Sequence, residues 1–548
     1  MNRDTAITRL ENEEFDICII GAGASGAGCA LDAVLRGYKV ALVDQGDFAS
    51  QTSSISTKLI HGGVRYLEQA FKKLDFAQLK QVRHGLEERH TLLKNAPHLA
   101  RPLALLTPVS SWLEGLYFTI GLRLYDQFAI NDSLPKSKWL SKKKVLELMP
   151  TLNRHKLHSA VMYYDGQMDD ARYCLALVQS AVENGAVTAN YISVTGFGKE
   201  RNGKINRVKA RDIIGDKELV ITAKLVINCT GPFSDHVRQM ANAELYKRIR
   251  PSKGVHLVLP PGILKSDCAM LIPKTSDGRV VFAIPFEGAT MLGTTDTEYS
   301  ETGEIPVLNQ AEKEYLADTL NPYLENKMDL RQITAGFGGI RPLLSADPGK
   351  STKSLVRDHE VEVDPSSGLI SLLGGKWTTY RLMAKDTLDV ADRIAGKLND
   401  CLTANYVLAG GELYRFDQWK EMEVTYCLAP DICQHLLKKY GSRAEKVVRD
   451  LPSNPDLGER LHPGYPYIKA EVIFAATSEM AVTPRDFLAR RIRLEITDWQ
   501  AALDCVPVVA DLMASVLGWD DEKKKEQILT YSGELKYFMA MAGKEIRV

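Results

Sequence analysis

The stretch STKLIHGGVRYLE, residues 56–68, sets Lys58, His61, Gly62, Gly63, Arg65 and Tyr66 among isoleucine and leucine. That mixture fits neither a solvated loop nor a plain core segment. An imidazole titrates near neutral pH and can move a proton, whereas a lone histidine is ordinarily structural and a Gly-Gly pair ordinarily a turn. Further along stand His256 in KGVHLVL, Arg341 in GFGGIRPLLS, Arg357 in LVRDHEV and Lys376 in LLGGKWTTYR. Arg341 and Arg357 lie beside apolar residues and Gly-rich turns, where a guanidinium without an anionic partner is costly. His256 sits in a strand pattern, where a satisfied core histidine is the ordinary outcome.

Such residues need a scaffold, and the preceding segment supplies one. FDICIIGAGASGAGCALDAVLRGYKVALVDQ, residues 15–45, gives an apolar strand, the turn Gly21-x-Gly23-x-x-Gly26, a helix of small and apolar residues, and a second strand ending at Asp44. This is a βαβ unit carrying a dinucleotide fingerprint. Gly21 makes the turn, Gly23 admits a pyrophosphate, Gly26 lets the helix close on the strand, and Asp44 can accept ribose hydroxyls. The helix N-terminus offers N–H groups to phosphate. Next comes a Ser/Thr-rich segment, TSSISTKLIHGG, instead of another crossover helix, and it can continue along a longer ligand. A helix is expected from about Val64 to Asn95, another over 169–186, then a strand, a β-meander and an apolar strand ending at Cys229-Thr230-Gly231.

On IIGAGASGAGCALDA, TSSISTKLIHGGVRYLE, GFGGIRPLLS, LVRDHEV and LLGGKWTTYRLMAKD, the chain resembles the FAD-dependent glycerol-3-phosphate dehydrogenases, from about residue 15 to 395 and more loosely beyond. The resemblance implies non-covalent FAD and oxidation of glycerol 3-phosphate to dihydroxyacetone phosphate, with electrons passed to a quinone. It implies catalytic roles for His61, Arg341 and Lys376, with His61 the first candidate for the base. Arg65, Tyr66, His256, Arg341 and Arg357 would hold the substrate and its phosphate. The cofactor would lie against the Gly21, Gly23, Ser25 and Gly26 turn, Asp44 and Gln45. It would continue along Thr52, Ser53, Ser54, Lys58, Leu59, His61, Gly62 and Gly63. Val194, Thr230, Gly231, Gly375, Lys376, Trp377 and Thr378 complete the expected set. Asp44 is a departure, since many members carry glutamate there.

The expected architecture is α/β: a Rossmann-like FAD-binding domain with an inserted mixed β-sheet substrate domain, and a C-terminal all-helical domain. The oxidoreductase region spans 1–400, with FAD-binding segments at about 14–105, 155–247 and 351–398 and substrate segments at about 106–154 and 248–350. Residues 401–415 are expected as a linker and 416–548 as the helical domain, whose LARRIRL motif is expected to form structural ion pairs through Arg490, Arg491 and Arg493.

Across 548 residues, 69 Lys and Arg balance 69 Asp and Glu, so bulk charge gives no sign of nucleic acid as a partner. Nine cysteines lack any CxxC pair or zinc spacing, and no metal is expected. The start of the chain shows neither a secretory nor a transit signal, and no EF-hand loop is present. A cytoplasmic protein attached peripherally to the inner face of the cell membrane is expected. The segment SSWLEGLYFTIGLRLYDQFAI, 110–130, is either the anchor or a cap on the substrate cavity. Trp112, Leu116, Tyr117, Ile120 and Leu124 recur there at helical spacing. A homodimer is compatible with the resemblance. Rival functions are a glycerol-3-phosphate oxidase using oxygen, an amino-acid-oxidising flavoprotein of the same fold, and a non-catalytic flavin-binding scaffold. No added segment of the kind that marks the oxidases lies between LGTTDTEY and GGIRPL.

Overall fold

The computed structural model describes residues 1–63, 76–129, 134–273, 275, 278–299, 305–345 and 359–546. Arg65, Tyr66 and Arg357 lie outside them, as does the first part of the helix expected from Val64; its described part is Phe76–Asn95.

The chain opens as its apolar runs require. Strand β1 (Glu14–Ile20) is followed by helix α1 (Ala24–Leu35) and strand β2 (Val40–Val43). β1 runs parallel to β2 on one side and to strand Lys217–Asn228 on the other, which in turn runs parallel to Ile370–Gly374. β2, almost wholly apolar, is buried along its length, as expected of a parallel strand covered on both faces. The meander continues this eight-stranded sheet through antiparallel pairs, Ile192–Lys199 with Ile205–Asp212 and the latter with Lys217–Asn228.

A ten-stranded sheet forms the second layer. Its strands come from two distant parts of the chain. Leu59–Ile60, Ala100–Val109, Lys138–Ser141 and Ser159–Met168 supply one part, and strands between Ile249 and Leu344 supply the other. Ser159–Met168, expected in the nucleotide-binding part, pairs with Ala100–Val109 along ten residue pairs and so belongs to this second sheet.

Helix α2 (Trp112–Phe128) rests on that sheet through Gly115, Thr119, Leu122 and Tyr125. A Cβ on Gly115 would lie 2.7 Å from Trp139 Cε2 and strike the indole, so glycine there lets helix and strand meet. The opposite face is open: Trp112 is 58% exposed, Leu113 61%, Tyr117 51% and Ile120 53%. Leu124, expected on that face, packs instead beside Val82, Leu86 and Tyr125. Four-residue steps drift about 40° each around a 3.6-residue turn, which carries the third step inward.

From 416 onward the chain is helical. Helices Trp419–Tyr426 and Pro430–Tyr440 share a small core of their own, whereas Trp499–Leu517 and Asp521–Met541 join the core of the second sheet. Among the described residues, Trp499–Leu517 is the one helix long and apolar enough to cross a membrane; it carries Asp504 and Asp511 and buries one face in that core. The expected linker, 401–415, is a packed strap. Leu408 and Ala409 are buried, and their N–H groups donate to Asn95 O at 2.8 Å and Ser180 Oγ at 3.0 Å.

Candidate functional site

A cavity of about 1320 Å³ runs from the glycine turn of the first sheet to one face of the second. Its near end is the turn between β1 and α1. Gly21 has φ of 99°, a region that disfavours other residues, and a Cβ there would lie 2.7 Å from Cys229 O. A Cβ on Gly26 would strike the Gly21 carbonyl, so α1 closes on the turn only because glycine stands there. Gly23 caps α1 without a side chain, and Ser53 Oγ accepts from Ala24 N at 2.9 Å. Asp44 follows β2: Oδ2 accepts from Ala22 N at 2.6 Å and Oδ1 from Gly46 N at 2.9 Å. Burial outweighs those hydrogen bonds and lifts its carboxyl from 3.8 to about 6. Ser25, Gln45, Thr52, Ser53, Val194, Thr230 and Gly231 also line this end.

At the far end, Arg341 and His256 stand on neighbouring antiparallel strands, Ala335–Leu344 and Ile249–Leu259, with Ser252 opposite Arg341 and Phe337 opposite His256. Residues two apart on a strand share a face, and both side chains line the cavity. Each depends on a glycine beside it. A Cβ on Gly254 would lie 2.7 Å from Arg341 Cζ, and one on Gly293 would lie 2.8 Å from His256 Cγ. Arg341 Nη2 donates to Thr294 Oγ1 and Thr295 O, both at 3.0 Å, and Asp296 lies 3.7 Å from Nη1. His256 stacks on Phe337 at 4.7 Å, with Nε2 3.1 Å from Thr57 Oγ1. Burial, then the charges of Lys58 and Arg341, hold it well below 6.5, so it is a neutral imidazole.

His61 follows the short strand Leu59–Ile60. Its N–H donates to Thr378 Oγ1 at 3.3 Å, and its ring faces Phe282 at 6.4 Å. Leu59, His61, Gly63, Gly375, Lys376, Trp377 and Thr378 share the cavity wall. Trp377 Nε1 donates to Ser53 O at 2.9 Å, joining this wall to the near end. Trp377–Thr379 form a 3-10 turn, and helix Tyr380–Ala395 starts after it. That helix presents its positive end here.

Four residues expected in the cofactor set, Lys58, Ser54, Gly62 and Gly26, do not line the cavity. Lys58 is fully buried and off the cavity, its Nζ 2.7 Å from both Asp170 Oδ2 and Ser54 O. Burial, exceeding the pull of Asp170, brings it down to about 7. Ser54 is buried, with its carbonyl taken by Lys58 and Arg493. Gly62 donates its N–H to Tyr125 Oη at 2.8 Å, and a Cβ on it would lie 2.8 Å from Leu86 Cγ, so its close approach is to helix Phe76–Asn95. Gly26 lies off the cavity with no room for a Cβ beside the Gly21 carbonyl, which is its expected role of letting α1 close on the strand.

The cavity also includes residues that sequence reasoning missed, Thr57, Arg279, Thr294 and Thr295, and it is lined by Glu114, Tyr117 and Phe118 of α2, in the segment expected either as an anchor or as a cap on the cavity. Arg279 had a usable signal. It follows Gly278 and precedes the apolar strand Val281–Phe286, much as Arg341 follows Gly338-Gly339-Ile340. The pairing of LARRIRL agrees with expectation: Arg490 and Arg491 meet Asp47 at 2.6 and 2.8 Å.

With this geometry in hand, likenesses to known proteins are informative. Residues 16–381 match the FAD dependent oxidoreductase family model, and residues 401–524 match the C-terminal domain of alpha-glycerophosphate oxidase. The chain is 40% identical over 551 residues to the mitochondrial glycerol-3-phosphate dehydrogenase of Macaca fascicularis, covering 98% of this chain and 75% of that protein. It is 41% identical over 536 residues to the probable mitochondrial glycerol-3-phosphate dehydrogenase of Caenorhabditis elegans, covering 96% and 74%. The crystal structure of the glycerol-3-phosphate dehydrogenase from Bacillus halodurans complexed with FAD superposes with a TM-score of 0.81 at 29% identity, covering 99% of both chains.

Proposed function

Because the chain belongs to the FAD-dependent glycerol-3-phosphate dehydrogenases, we propose that it passes the electrons taken from glycerol 3-phosphate to a quinone dissolved in a membrane. It is an FAD enzyme that oxidises glycerol 3-phosphate to dihydroxyacetone phosphate.

The residues present fit the cofactor. Gly21 and Gly23 line the cavity at the start of α1, which Gly23 caps without a side chain, and so offer a pyrophosphate the helix N-terminus. Each Asp44 oxygen holds one backbone N–H and has a further lone pair for a ribose hydroxyl. FAD, when bound, supplies the acceptor for the hydride from carbon 2. The chain's own residues do the rest. Arg341, oriented by the Thr294 hydroxyl and the Thr295 carbonyl, anchors the substrate phosphate and aligns the carbon that reacts. His61 takes the hydroxyl proton. His256, held neutral, shapes the pocket and offers a hydrogen bond without adding charge. Lys376 and the adjacent helix end supply positive potential at the opposite wall.

The acceptor reading is carried by one observation: Tyr117 lines the cavity and is also half exposed on the open apolar face of α2. Lys136, Lys138, Lys142, Lys143 and Lys144, all exposed, follow closely in sequence around Trp139, itself packed on α2. Aromatic and apolar groups favour the headgroup boundary, and lysines favour anionic lipid. The protein therefore sits peripherally on the inner face of the cell membrane with the cavity opening toward the lipid. Anaerobic glycerol 3-phosphate should bleach the flavin absorbance, and quinone in vesicles should restore it. Turnover that makes peroxide and ignores quinone would instead identify an oxidase. Trp112→Glu with Ile120→Glu should abolish sedimentation with anionic vesicles and quinone-linked turnover while dye-linked activity persists. Undiminished sedimentation would move the anchor elsewhere.

A further inference from the structure

The loop Ser54–Leu59 joins the nucleotide end of the cavity to His61, and its backbone is held mostly from behind, away from the cavity. Ser56 donates to Asp170 Oδ2 through both its N–H, at 2.9 Å, and its hydroxyl, at 2.7 Å. Lys58 reaches the same oxygen at 2.7 Å. Asp170 begins helix α3 (Asp170–Glu183) just after Asp169, its N-cap. The other Asp170 oxygen accepts from Arg493 Nη2 at 2.9 Å, and the same nitrogen donates to Ser54 O. Lys439 meets Asp169 at 2.5 Å. Two cations from the helical C-terminal region thus close a buried cluster on the back of the site loop.

Two backbone observations point the same way. Lys58 has φ of 62° and Arg493 has φ of 70°, left-handed conformations for residues with long side chains. Such geometry is disfavoured for residues with a Cβ and persists where the surroundings over-determine it. On its other side the loop meets the site, through Thr57 Oγ1 at 3.1 Å from His256 Nε2 and the His61 N–H on Thr378. Arg493 is 1% exposed and is not among the residues lining the cavity.

We propose that Arg493 is a positioning residue for the oxidation: acting through Asp170, Lys58 and Ser54, it fixes the loop that sets Thr57, His256 and His61 in register with the substrate. The C-terminal helical region thereby belongs to the active-site architecture. The proposal rests on the site reading given above, in which His61 and Arg341 act on glycerol 3-phosphate.

Arg493 Nη2 bridges Ser54 O and Asp170 Oδ1 while Nη1 donates to Ala489 O at 2.7 Å and Nε lies 3.5 Å from Asp169 Oδ1, a set of contacts that the single nitrogen of a lysine cannot reproduce. Asp170 Oδ1 keeps the Ala171 N–H at 2.9 Å and Ser54 O keeps Lys58 when Arg493 is replaced, so the loop loosens without losing every partner. In the full-length, FAD-loaded protein, Arg493→Met should raise hydrogen exchange of the Ser56 and Lys58 amides at least tenfold, leaving β1 amides unchanged. Flavin reduction by glycerol 3-phosphate should slow at least tenfold, with KM within threefold. Arg493→Lys should fall between wild type and Arg493→Met, and it carries the test if the methionine variant does not fold. Combining the Arg493 change with Lys58→Met should be no slower than the slower single variant, since both act through Asp170. A folded variant with wild-type exchange in residues 54–60 and wild-type reduction overturns the proposal, as does a double variant whose losses multiply. His61→Asn and Arg341→Ala run alongside: wild-type reduction in both would overturn the site reading, while the exchange data still decide whether Arg493 holds the loop.

Discussion

Arg490 and Arg491 in the helical region and Arg341 in the cavity wall are the same residue type in opposite circumstances. The side chains of Arg490 and Arg491 are 8% and 1% exposed, and both meet Asp47, with Asp486 and Glu479 closing the group. Arg341 is 26% exposed on the cavity, is oriented by a hydroxyl and a carbonyl, and has Asp296 at 3.7 Å. Neutral acceptors fix a guanidinium in place without cancelling its charge, whereas carboxylates at hydrogen-bond distance do both. The first kind of arginine holds a fold together. The second presents its guanidinium to the cavity.

The carboxylates repeat the contrast three residues apart. Asp47 receives two arginines, and Asp44 receives two backbone N–H groups. Asp47 stays below the ordinary carboxylate value because Arg491 and Arg490 outweigh its burial, whereas Asp44 rises to about 6 because burial outweighs its two backbone N–H groups and the weaker pull of Arg490.

The largest effect should come from breaking the saturated group. Arg491→Ala leaves Asp47 and Glu479 buried with less compensation, at a cost of about 3–5 kcal/mol. Urea unfolding should reveal this, and unchanged stability would mean that Arg490 alone satisfies Asp47. Arg341→Ala should do the reverse. Losing one partner of a buried charge pair with the substrate phosphate costs about 2–5 kcal/mol, so kcat/KM should fall roughly 30-fold to several thousand-fold. Its urea midpoint should stay near that of the wild type. Unaltered kinetics would erase the distinction between the two kinds of arginine.

The smallest effect concerns Asp44. Its folded value of about 6 exceeds the ordinary 3.8, so in the empty protein this group favours folding below 3.8 and loses that contribution as pH rises through 6. Cofactor binding runs the other way, since ribose hydroxyls donate to the ionised form. FAD affinity should weaken as pH falls through 6, by at most about tenfold per pH unit, read from the fluorescence of released flavin. Asp44→Asn should flatten that profile.

Legibility in the sequence followed the range of the interactions. The Gly26 packing, α1 and the place of Asp44 at the end of β2 are legible because they rest on neighbours within a few dozen residues, whereas the Cys229 carbonyl that crowds Gly21 comes from far along the chain. Pairing for Arg490 and Arg491 is suggested by their apolar neighbours, but Asp47 lies over 440 positions away and nothing local identifies it. Lys58 misleads for the same reason. Its Ser/Thr-rich surroundings resemble a phosphate loop, and the carboxylate that takes its charge is 112 residues downstream. Gly254 and Gly293, which make room for Arg341 and His256, acquire meaning only once the strands are in register.

The interleaving of the two sheets also sets a timetable for synthesis. β1 waits for its partner at residues 222–228, and that strand in turn waits for Ile370 and Ser371. The second sheet pairs Ile249–Leu259 with Ala335–Leu344 and seats Leu59–Ile60 beside Ser159–Met168. Neither layer can close until about two thirds of the chain has left the ribosome. At roughly 5–20 residues per second, that interval lasts about 20–75 s. For that time the glycine turn lacks the Gly375 wall of its cavity, and for the first part of it the Thr230 wall as well. The nascent chain therefore carries β1 with one edge open until residues 222–228 emerge, and its need for holdase protection should end only as the segment around residue 375 emerges.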